Sequence, residues 1–394
     1  MDKVKVLITK SNDYNCDQIY TALQKNITFI GGLQGMIGPS VRVFVKINHL
    51  PPASPAEKGI VTHPTFVEAV LHLLKETGAS IIVGDDIESS DRDGFEISGF
   101  RQMSKRAEVE LLNLREAGFV ETECNGHFLK SVYVSKIVLD ADVIVNLPKL
   151  KTHSLTVLTG GVKNMYGIIP DGLRKRFHGE YTKREDFCQV LTDIFSITIT
   201  KPQLTIMDSI VAMEGEGPAC GSLKRLGIIL ASWDTVALDA VATKILGLNP
   251  LDIYTTKYAA ERGLGIGDLR NIEIVGENLE DVIAADFRLP AGATGSLIDK
   301  LPASLSRYIQ DQRAAKPHVI ESKCTGCLEC EDVCPASAIS VSNEKIRINH
   351  ARCIRCMCCH EVCRYGAVVP KVSIIGNMIC LFADRWQRLM ASIR

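Results

Sequence analysis

Residues 324–335 read Cys-Thr-Gly-Cys-Leu-Glu-Cys-Glu-Asp-Val-Cys-Pro, and residues 353–363 read Cys-Ile-Arg-Cys-Met-Cys-Cys-His-Glu-Val-Cys. Each stretch has four cysteines separated by two, two and three residues, and the second has a fifth, Cys358. Nine of the chain's fourteen cysteines lie in this window of 40 residues. A spacing repeated so closely predicts metal–thiolate ligation and not a disulfide framework. The other five cysteines are scattered, and we expect ordinary buried thiols at Cys16, Cys124, Cys188, Cys220 and Cys380.

The gaps in the two runs predict two [4Fe-4S] clusters that exchange their fourth ligands. A tight loop with two-residue gaps can place three thiolates around one cubane, whereas the fourth cysteine points to the other cluster. Zinc bound by Cys-x2-Cys pairs is the minor alternative. The predicted ligands of the first cluster are Cys324, Cys327, Cys330 and Cys363. Those of the second are Cys353, Cys356, Cys359 and Cys334.

Residues 318–370 resemble the two-cluster bacterial-type ferredoxin domain. The resemblance implies that this part of the chain transfers single electrons at low potential. Two positions depart from the usual pattern. Arg364 stands where a proline usually follows the second run, and Cys358 is an additional thiol beside Cys359. We interpret Cys358 as a bystander, with a slipped ligand as the alternative.

Composition limits the class of protein. The chain has 394 residues, of which 46% are hydrophobic and 23% charged, so it should fold around a sizeable core. Lys and Arg number 45 against 46 acidic residues, and this balance argues against a general nucleic-acid binder. No run of about 18 apolar residues predicts a spanning helix. Charges within the first eight residues argue against a signal peptide, so we expect a cytoplasmic protein.

Over the first 315 residues, short β-branched runs alternate with helical patterns. This alternation predicts an α/β layered domain with a mostly parallel sheet, followed by a small ferredoxin-like α+β domain. The predicted strands are Val4–Ile8, Val41–Ile47, Ser80–Val83, Asp142–Asn146, Leu204–Met207 and Leu226–Leu230. The predicted helices are Pro64–Glu76, Met103–Ala117, Asp234–Leu246 and Ile253–Arg262.

A basic segment follows the predicted strand at Asp142–Asn146. Residues 146–184 contain eight Lys or Arg and two acidic residues. Charge this local, at the carboxyl end of a strand, predicts a pocket for a carboxylate or phosphate group. We expect Lys149, Lys151 and Asn164 to line that pocket, and a solvated basic face is the alternative.

Residues 40–280 resemble DUF362, a family of largely unassigned activity whose members are often fused to ferredoxin domains. The resemblance rests on Val45-Lys46-Ile-Asn48, Thr62-His63-Pro64, Asn146-Leu-Pro148-Lys149-Leu-Lys151-Thr152-His153, Gly160-Gly161-Val-Lys163-Asn164, Met207-Asp208, Glu214-Gly-Glu216-Gly217-Pro218 and Asp234-Thr-Val-Ala-Leu-Asp239-Ala240. The domains we predict are 1–315, with a core at about 40–280 and a linker at about 286–315, then the ferredoxin domain 316–370 and an amphipathic tail 371–394. The tail is expected to pack on its own ferredoxin domain, and peripheral contact with a membrane is the alternative.

About 20 residues are also similar to nickel-pincer lactate racemase. The similarity rests on His153, then Gly160-Gly161-x-Lys163, then Pro170. It implies that Lys163 attaches a cofactor covalently and that His153 acts as an acid, a base or a ligand, with His178 as a third candidate. A lysine among cations has a lowered pKa and is a better nucleophile.

Acidic residues and one histidine supply weaker candidates. The run 85–93 could bind a hard cation, although a solvated loop is the preferred interpretation. Asp208 and Glu214 flank a strand end, where acids serve either chemistry or capping. His63 is interpreted as a helix start, with a site residue as the alternative.

Two function classes follow from this sequence. The first is an iron–sulfur redox enzyme that receives electrons from a ferredoxin or reductase. It would reduce a small anionic substrate, or a further unidentified cofactor, in the α/β domain. The second is a non-catalytic electron carrier or assembly partner of a redox complex.

Overall fold

The computed structural model describes residues 3–50, 53–87, 93–124, 126–290, 312, 315–342, 345–363, 365–375 and 378. The chain forms two compact units. Unit 1 comprises residues 1–151, 158–213 and 223–287, and unit 2 comprises residues 152–157, 214–222 and 288–394. Several sequence predictions lie outside the described residues. They concern most of the linker, Glu88–Arg92 of the acidic run, Arg364, Cys380 and most of the tail.

The strands are β1 Val4–Lys10, β2 Arg42–Ile47, β3 Ser80–Asp85, β4 Glu110–Asn113, β5 Phe119–Glu123, β6 Ser131–Ser135, β7 Val143–Leu147, β8 Lys149–His153, β9 Val157–Thr159, β10 Gln203–Glu214, β11 Ser222–Ser232, β12 Ile272–Gly276, β13 Lys316–Val319, β14 Ile339–Ser342, β15 Lys345–Ile348 and β16 Val368–Lys371. The helices are α1 Cys16–Asn26, α2 Pro64–Lys75, α3 Gly94–Ile97, α4 Phe100–Arg106, α5 Lys136–Asp140, α6 Gly161–Asn164, α7 Asp171–Glu180, α8 Arg184–Thr198, α9 Thr235–Ile245, α10 Tyr254–Glu261, α11 Glu329–Asp332 and α12 Cys358–Glu361.

Unit 1 is built on a large, mostly parallel sheet, so the predicted α/β class is confirmed. The strand order is β12-β1-β11-β10-β7-β2-β3-β4, and the short strands β8 and β9 lie off this path. All pairs from β10 to β4 along this path are parallel, whereas β1 and β11 are antiparallel. Every residue of β7 is buried, as expected for a strand covered on both faces. The carboxyl ends of β2, β3 and β7 therefore meet at one edge, where ligands bind in such sheets.

Local signals explain where the main helices begin. Pro64 occupies the first turn of α2, and the side chain of His63 accepts a hydrogen bond from the amide of Thr65. Asp234, the first residue of the predicted helix Asp234–Leu246, caps α9 by accepting from the amide of Ala237.

The predicted helix Met103–Ala117 is wrong over most of its length. Helix α4 ends at Arg106, and Glu108 has a φ of 48°, in the left-handed region that stops a helix. Residues 110–113 instead form β4, which pairs in parallel with β3. Pairing with a neighbouring strand has overridden the helical pattern.

Unit 2 contains the small α+β fold that the cysteine runs predict. Strand β13 pairs antiparallel with β16, and β14 pairs antiparallel with β15. The short helices α11 and α12 contribute Cys330 and Cys359, respectively, to one buried cluster with Ile339 and Val368. Within the described ranges, no helix is long and apolar enough to cross a bilayer.

Candidate functional site

Two cavities in unit 2 are walled by cysteines. Cavity 1 is walled by Cys324, Cys327, Cys330 and Cys363. Cavity 2 is walled by Cys334, Cys353, Cys356, Cys358 and Cys359. Each cavity therefore collects thiols from both cysteine runs.

The two runs fold as a structural repeat. Leu328 and Met357, which follow the second cysteine of each run, both have a φ of 65°. A short helix begins at the next residue in each case. The left-handed residue turns the chain sharply, so that the second and third cysteines can face the same cavity.

Backbone amides reach the fourth cysteine of each run in the same way. The amide of Ala338 donates to Sγ of Cys334 at 3.2 Å, and the amide of Ala367 donates to Sγ of Cys363 at 3.2 Å. An N–H donor favours the thiolate, which is the form that binds iron. These bonds therefore fit the cysteines for cluster ligation.

Burial and crowding make the thiolates costly on their own. Burial raises the pKa of Cys330 to about 11 and that of Cys359 well above its ordinary value, and neighbouring thiolates add to both rises. The neighbours of Cys330 are Cys327, Cys363 and Cys324. Those of Cys359 are Cys356, Cys353, Cys330 and Cys334. The positive charge of iron would offset this cost. Among the described residues, no three His, Cys, Asp or Glu side chains converge as they would on a single metal ion.

Unit 1 holds a buried ion pair at the carboxyl ends of β2 and β3. Nζ of Lys46 lies 2.7 Å from Oδ2 of Asp85, and both side chains are 1% exposed. Burial lowers the pKa of Lys46 and raises that of Asp85, while their mutual attraction opposes both shifts. Asp86 is equally buried and pairs with Arg174 at 2.7 Å. The expectation of a solvated loop is therefore wrong for Asp85 and Asp86.

A second buried pair joins β8 to β10. Nζ of Lys149 lies 2.9 Å from Oδ2 of Asp208 and donates to the hydroxyl of Tyr14 at 2.6 Å. The Tyr14 hydroxyl donates to Oδ1 of Asp208 at 2.9 Å, and its ring stacks on His63 with centroids 3.7 Å apart. Burial lowers the pKa of Lys149 and His63 and raises that of Tyr14. Lys149 thus has an acidic partner, although the basic segment itself contains only two acidic residues.

The remaining residues predicted for an anion pocket in unit 1 are also held by the fold. Nζ of Lys151 donates to the carbonyl of Ile60 at 2.5 Å. Asn164 donates to Oδ1 of Asn146 at 2.8 Å, while its own Oδ1 is buried and has no hydrogen-bond partner among the described residues. The Lys163 side chain is half-buried, with Nζ 5.9 Å from the centre of the Tyr166 ring.

The Gly160-Gly161 pair has a packing explanation. The amides of Gly161 and Val162 donate to the carboxylate of Asp239 at 2.6 and 3.0 Å. A Cβ on Gly160 would lie 2.5 Å from Oδ1 of Asp239, so no side chain fits there. Burial raises the pKa of Asp239 to about 7, and the two amides oppose the rise.

In unit 2, the other predicted residues hold backbone segments. Nδ1 of His153 accepts from the amides of Leu155 and Thr156 at 3.1 and 3.3 Å. Glu214 pairs with Arg288 at 2.8 Å. His178, in unit 1, has Nδ1 2.9 Å from the carbonyl of Arg174.

Comparison with known proteins places both parts of the chain. Residues 43–244, which are 202 of the 394, match the model described as "Domain of unknown function (DUF362)". The chain belongs to the DUF362 family. Residues 316–364 match the 4Fe-4S dicluster domain, which identifies an iron–sulfur protein and confirms the resemblance to ferredoxins.

This DUF362 protein also has a curated relative. It is 32% identical over 263 residues to a thylakoid-associated protein of Synechocystis sp., and the match covers 66% of this chain and 79% of the relative.

Two solved structures show a weaker likeness. One is a protein from Thermotoga maritima, with 15% identity, a TM-score of 0.35, and coverage of 52% of this chain and 53% of that chain. The other is the lactate racemase apoprotein from Thermoanaerobacterium thermosaccharolyticum, with 9% identity, a TM-score of 0.37, and coverage of 60% and 55%. The alignments span about half of each solved chain, and TM-scores below 0.5 support no conclusion about activity.

The sequence did not indicate three residues of this DUF362 protein that take part in its buried polar contacts. Tyr14 lies outside every motif that identified the basic segment, so its contact with Lys149 had no sequence signal. Asp85 was noted only as part of an acidic loop. His360 is fully buried, with Nδ1 2.9 Å from the carbonyl of Val368 and Nε2 3.3 Å from that of Glu216. Its position directly after Cys359 was the only available signal.

Proposed function

We propose that this protein transfers electrons through two [4Fe-4S] clusters with exchanged fourth ligands. Cys324, Cys327, Cys330 and Cys363 would hold the first cluster. Cys334, Cys353, Cys356 and Cys359 would hold the second. The supporting observation is that these two sets wall two separate cavities. When bound, such clusters supply one-electron transfer at low potential.

The surroundings of the two cavities favour entry of electrons at cavity 1. Cys327 is exposed there, and Leu328 and Tyr365 in the same wall are 40% and 45% exposed. In cavity 2, by contrast, the equivalent residues Cys356 and Met357 are 9% and 3% exposed. A redox partner, either a ferredoxin or a reductase, would therefore dock over cavity 1.

If the protein is an enzyme, its substrate or further cofactor would be reduced in the DUF362 domain. Lys149, Lys151 and Asn164 would bind a small anionic substrate or a further cofactor, and Lys163 would act on it. His153, in unit 2, stays a predicted catalytic residue. Support comes from buried ionisable groups at the carboxyl ends of parallel strands, where perturbed pKa values often accompany function. The lowered pKa of Lys149 suits its ammonium group to donate a proton during a reduction, whereas the raised pKa of Tyr14 keeps its hydroxyl protonated as a hydrogen-bond donor.

The second candidate is a non-catalytic electron carrier or assembly partner. One observation favours it. Lys46 and Lys149 are neutralised by Asp85 and Asp208, so their charge is already used within unit 1. A site that binds an anion needs cationic charge beyond such pairs.

The domain limits and the location remain predictions. We retain an α/β domain at 1–315, a ferredoxin domain at 316–370, and a tail at 371–394 that packs on its own domain or touches a membrane. A cytoplasmic location is still proposed. The description of the Synechocystis relative as thylakoid-associated makes association with a membrane surface worth testing by fractionation.

Two measurements on anaerobically purified protein test the proposal. Iron analysis should give roughly eight irons per chain, and electron paramagnetic resonance (EPR) after reduction should show two four-iron clusters. One cluster, or zinc, would refute the two-cluster proposal. Denaturing mass spectrometry with peptide mapping of residues 146–184 then examines Lys163. An added mass there supports the enzyme form, and an unmodified Lys163 removes covalent attachment.

A further inference from the structure

Cys358 lies in the wall of cavity 2 together with the four cysteines proposed to hold the second cluster. Its side chain is 6% exposed, and it belongs to a small buried cluster with Val333 and Cys356. Cys356, one of the proposed ligands, is 9% exposed. A fifth thiol is therefore present at a site that needs four.

The structural repeat shows which position Cys358 occupies. It is the first residue of α12, and Glu329 is the first residue of α11. Glu329 lines cavity 1 as Cys358 lines cavity 2. This position thus faces a cluster cavity in both halves, with a carboxylate in one half and a thiol in the other.

We infer that Cys358 is a reserve ligand that can replace Cys356 on the second cluster. The inference rests on the proposed second cluster. In the exchange, the iron–sulfur bond to Cys356 breaks and a bond to Cys358 forms, while the Cys358 thiol proton passes to the Cys356 thiolate. No electron is gained or lost.

A buried bystander would have different consequences. A thiol that only packs against Val333 acts as a small hydrophobic group, and its contribution ends there. A reserve ligand instead protects the cluster when Cys356 is removed. Loss of one ligand therefore separates the two roles.

The decisive variants are Cys356→Ala and its matched control Cys327→Ala. Cys327 holds the same place in the first run, where Glu329 stands in place of a thiol. Cys356→Ala should keep its iron and both four-iron EPR signals, whereas Cys327→Ala should lose up to roughly half of its iron. The double variant Cys356→Ala/Cys358→Ala should lose as much as Cys327→Ala. Equal iron loss in Cys356→Ala and in the double variant would overturn the inference.

A gain of function provides the second test. If the position itself permits ligation, Glu329→Cys should restore iron to the Cys327→Ala protein. A folded Cys327→Ala/Glu329→Cys protein that stays depleted would count against the inference, even if Cys356→Ala does not fold. Iron analysis of the unaltered chain keeps the two proposals apart. A chain with one cluster refutes the proposed function, whereas two clusters with no rescue refute only the reserve ligand.

Discussion

Nζ of Lys149 lies 2.9 Å from Oδ2 of Asp208, and the two side chains are 1% and 0% exposed. They are 59 residues apart in sequence and meet because β8 pairs with β10, with Lys149 opposite Asp208. The hydroxyl of Tyr14 bonds to both groups. Substituting only one member of such a buried ion pair is costly, because the remaining charge stays unpaired in the protein interior.

Asp208→Asn should therefore destabilise the protein strongly. The substitution leaves the Lys149 ammonium without its counter-charge, and breaking a buried pair costs roughly 3–5 kcal/mol. Urea unfolding monitored by circular dichroism measures the loss. Glu277→Gln is the matched control, because Glu277 pairs with Lys10 at 2.8 Å with both side chains partly exposed. Similar losses in the two variants would contradict this account of the buried pair.

The stability of unit 1 should depend on pH through His49. Burial lowers the pKa of His49 from 6.5 to about 4. The unfolded chain thus takes up a proton near pH 6.5, and the folded chain does so only near pH 4. The contribution is fully present above about pH 6.5 and is lost as the pH falls to 4, by up to about 3 kcal/mol. His49→Gln should flatten the stability curve between these values, and an unchanged curve would refute the assignment.

Gly161→Ala should weaken packing around α6. A Cβ there would lie 2.5 Å from Cγ2 of Thr235, a buried side chain at the start of α9. Overpacking of this kind costs roughly 1–3 kcal/mol. Gly172→Ala in α7 is the control, because no atom of the described part of the chain lies within 4 Å of its added Cβ. Thermal unfolding should show a lower midpoint for the first variant only, and a lower midpoint for both would show that the contact with Thr235 is not the cause.

Cys334→Ala tests the exchange of fourth ligands. Although Cys334 belongs to the first run, its loss should deplete the second cluster. Alkylation of the native protein, mapped by mass spectrometry, reports which cysteines have become reactive. We expect new reactivity at Cys353 and Cys359 and continued protection of Cys324. The opposite pattern would show that each run holds its own cluster. Cys363→Ala should give the mirror image.

Features encoded by neighbouring residues were predictable from the sequence. The cysteine runs carry their spacing within eleven residues each, and residues 143–145 of β7 form a continuous apolar run. The capping residue Asp234 is similarly local. These features depend on geometry that repeats along the chain, so the pattern alone indicates the structure.

Features created by distant pairing were not predictable. The segment after Arg106 looked helical because its alternative, pairing of β4 with β3, depends on a neighbouring strand. Likewise, Lys149 looked available for an anion because Asp208 and Tyr14 are distant in sequence. A run of basic residues therefore predicts more unpaired positive charge than the folded protein has, wherever an acidic residue of another strand pairs with one of them.

Unit 2 is discontinuous in sequence, so its boundaries differ from those of the two family matches. Residues 152–157 and 214–222 come from within the DUF362 match but are assigned to the unit that holds the cysteines. The hydroxyl of Thr152 donates to the carbonyl of Gly215 at 2.8 Å, and His360 lies against the carbonyl of Glu216. Residues 316–394 on their own would lack the backbone carbonyl that His360 contacts at Glu216. The cysteine runs therefore need part of the DUF362 match to complete the unit to which they belong.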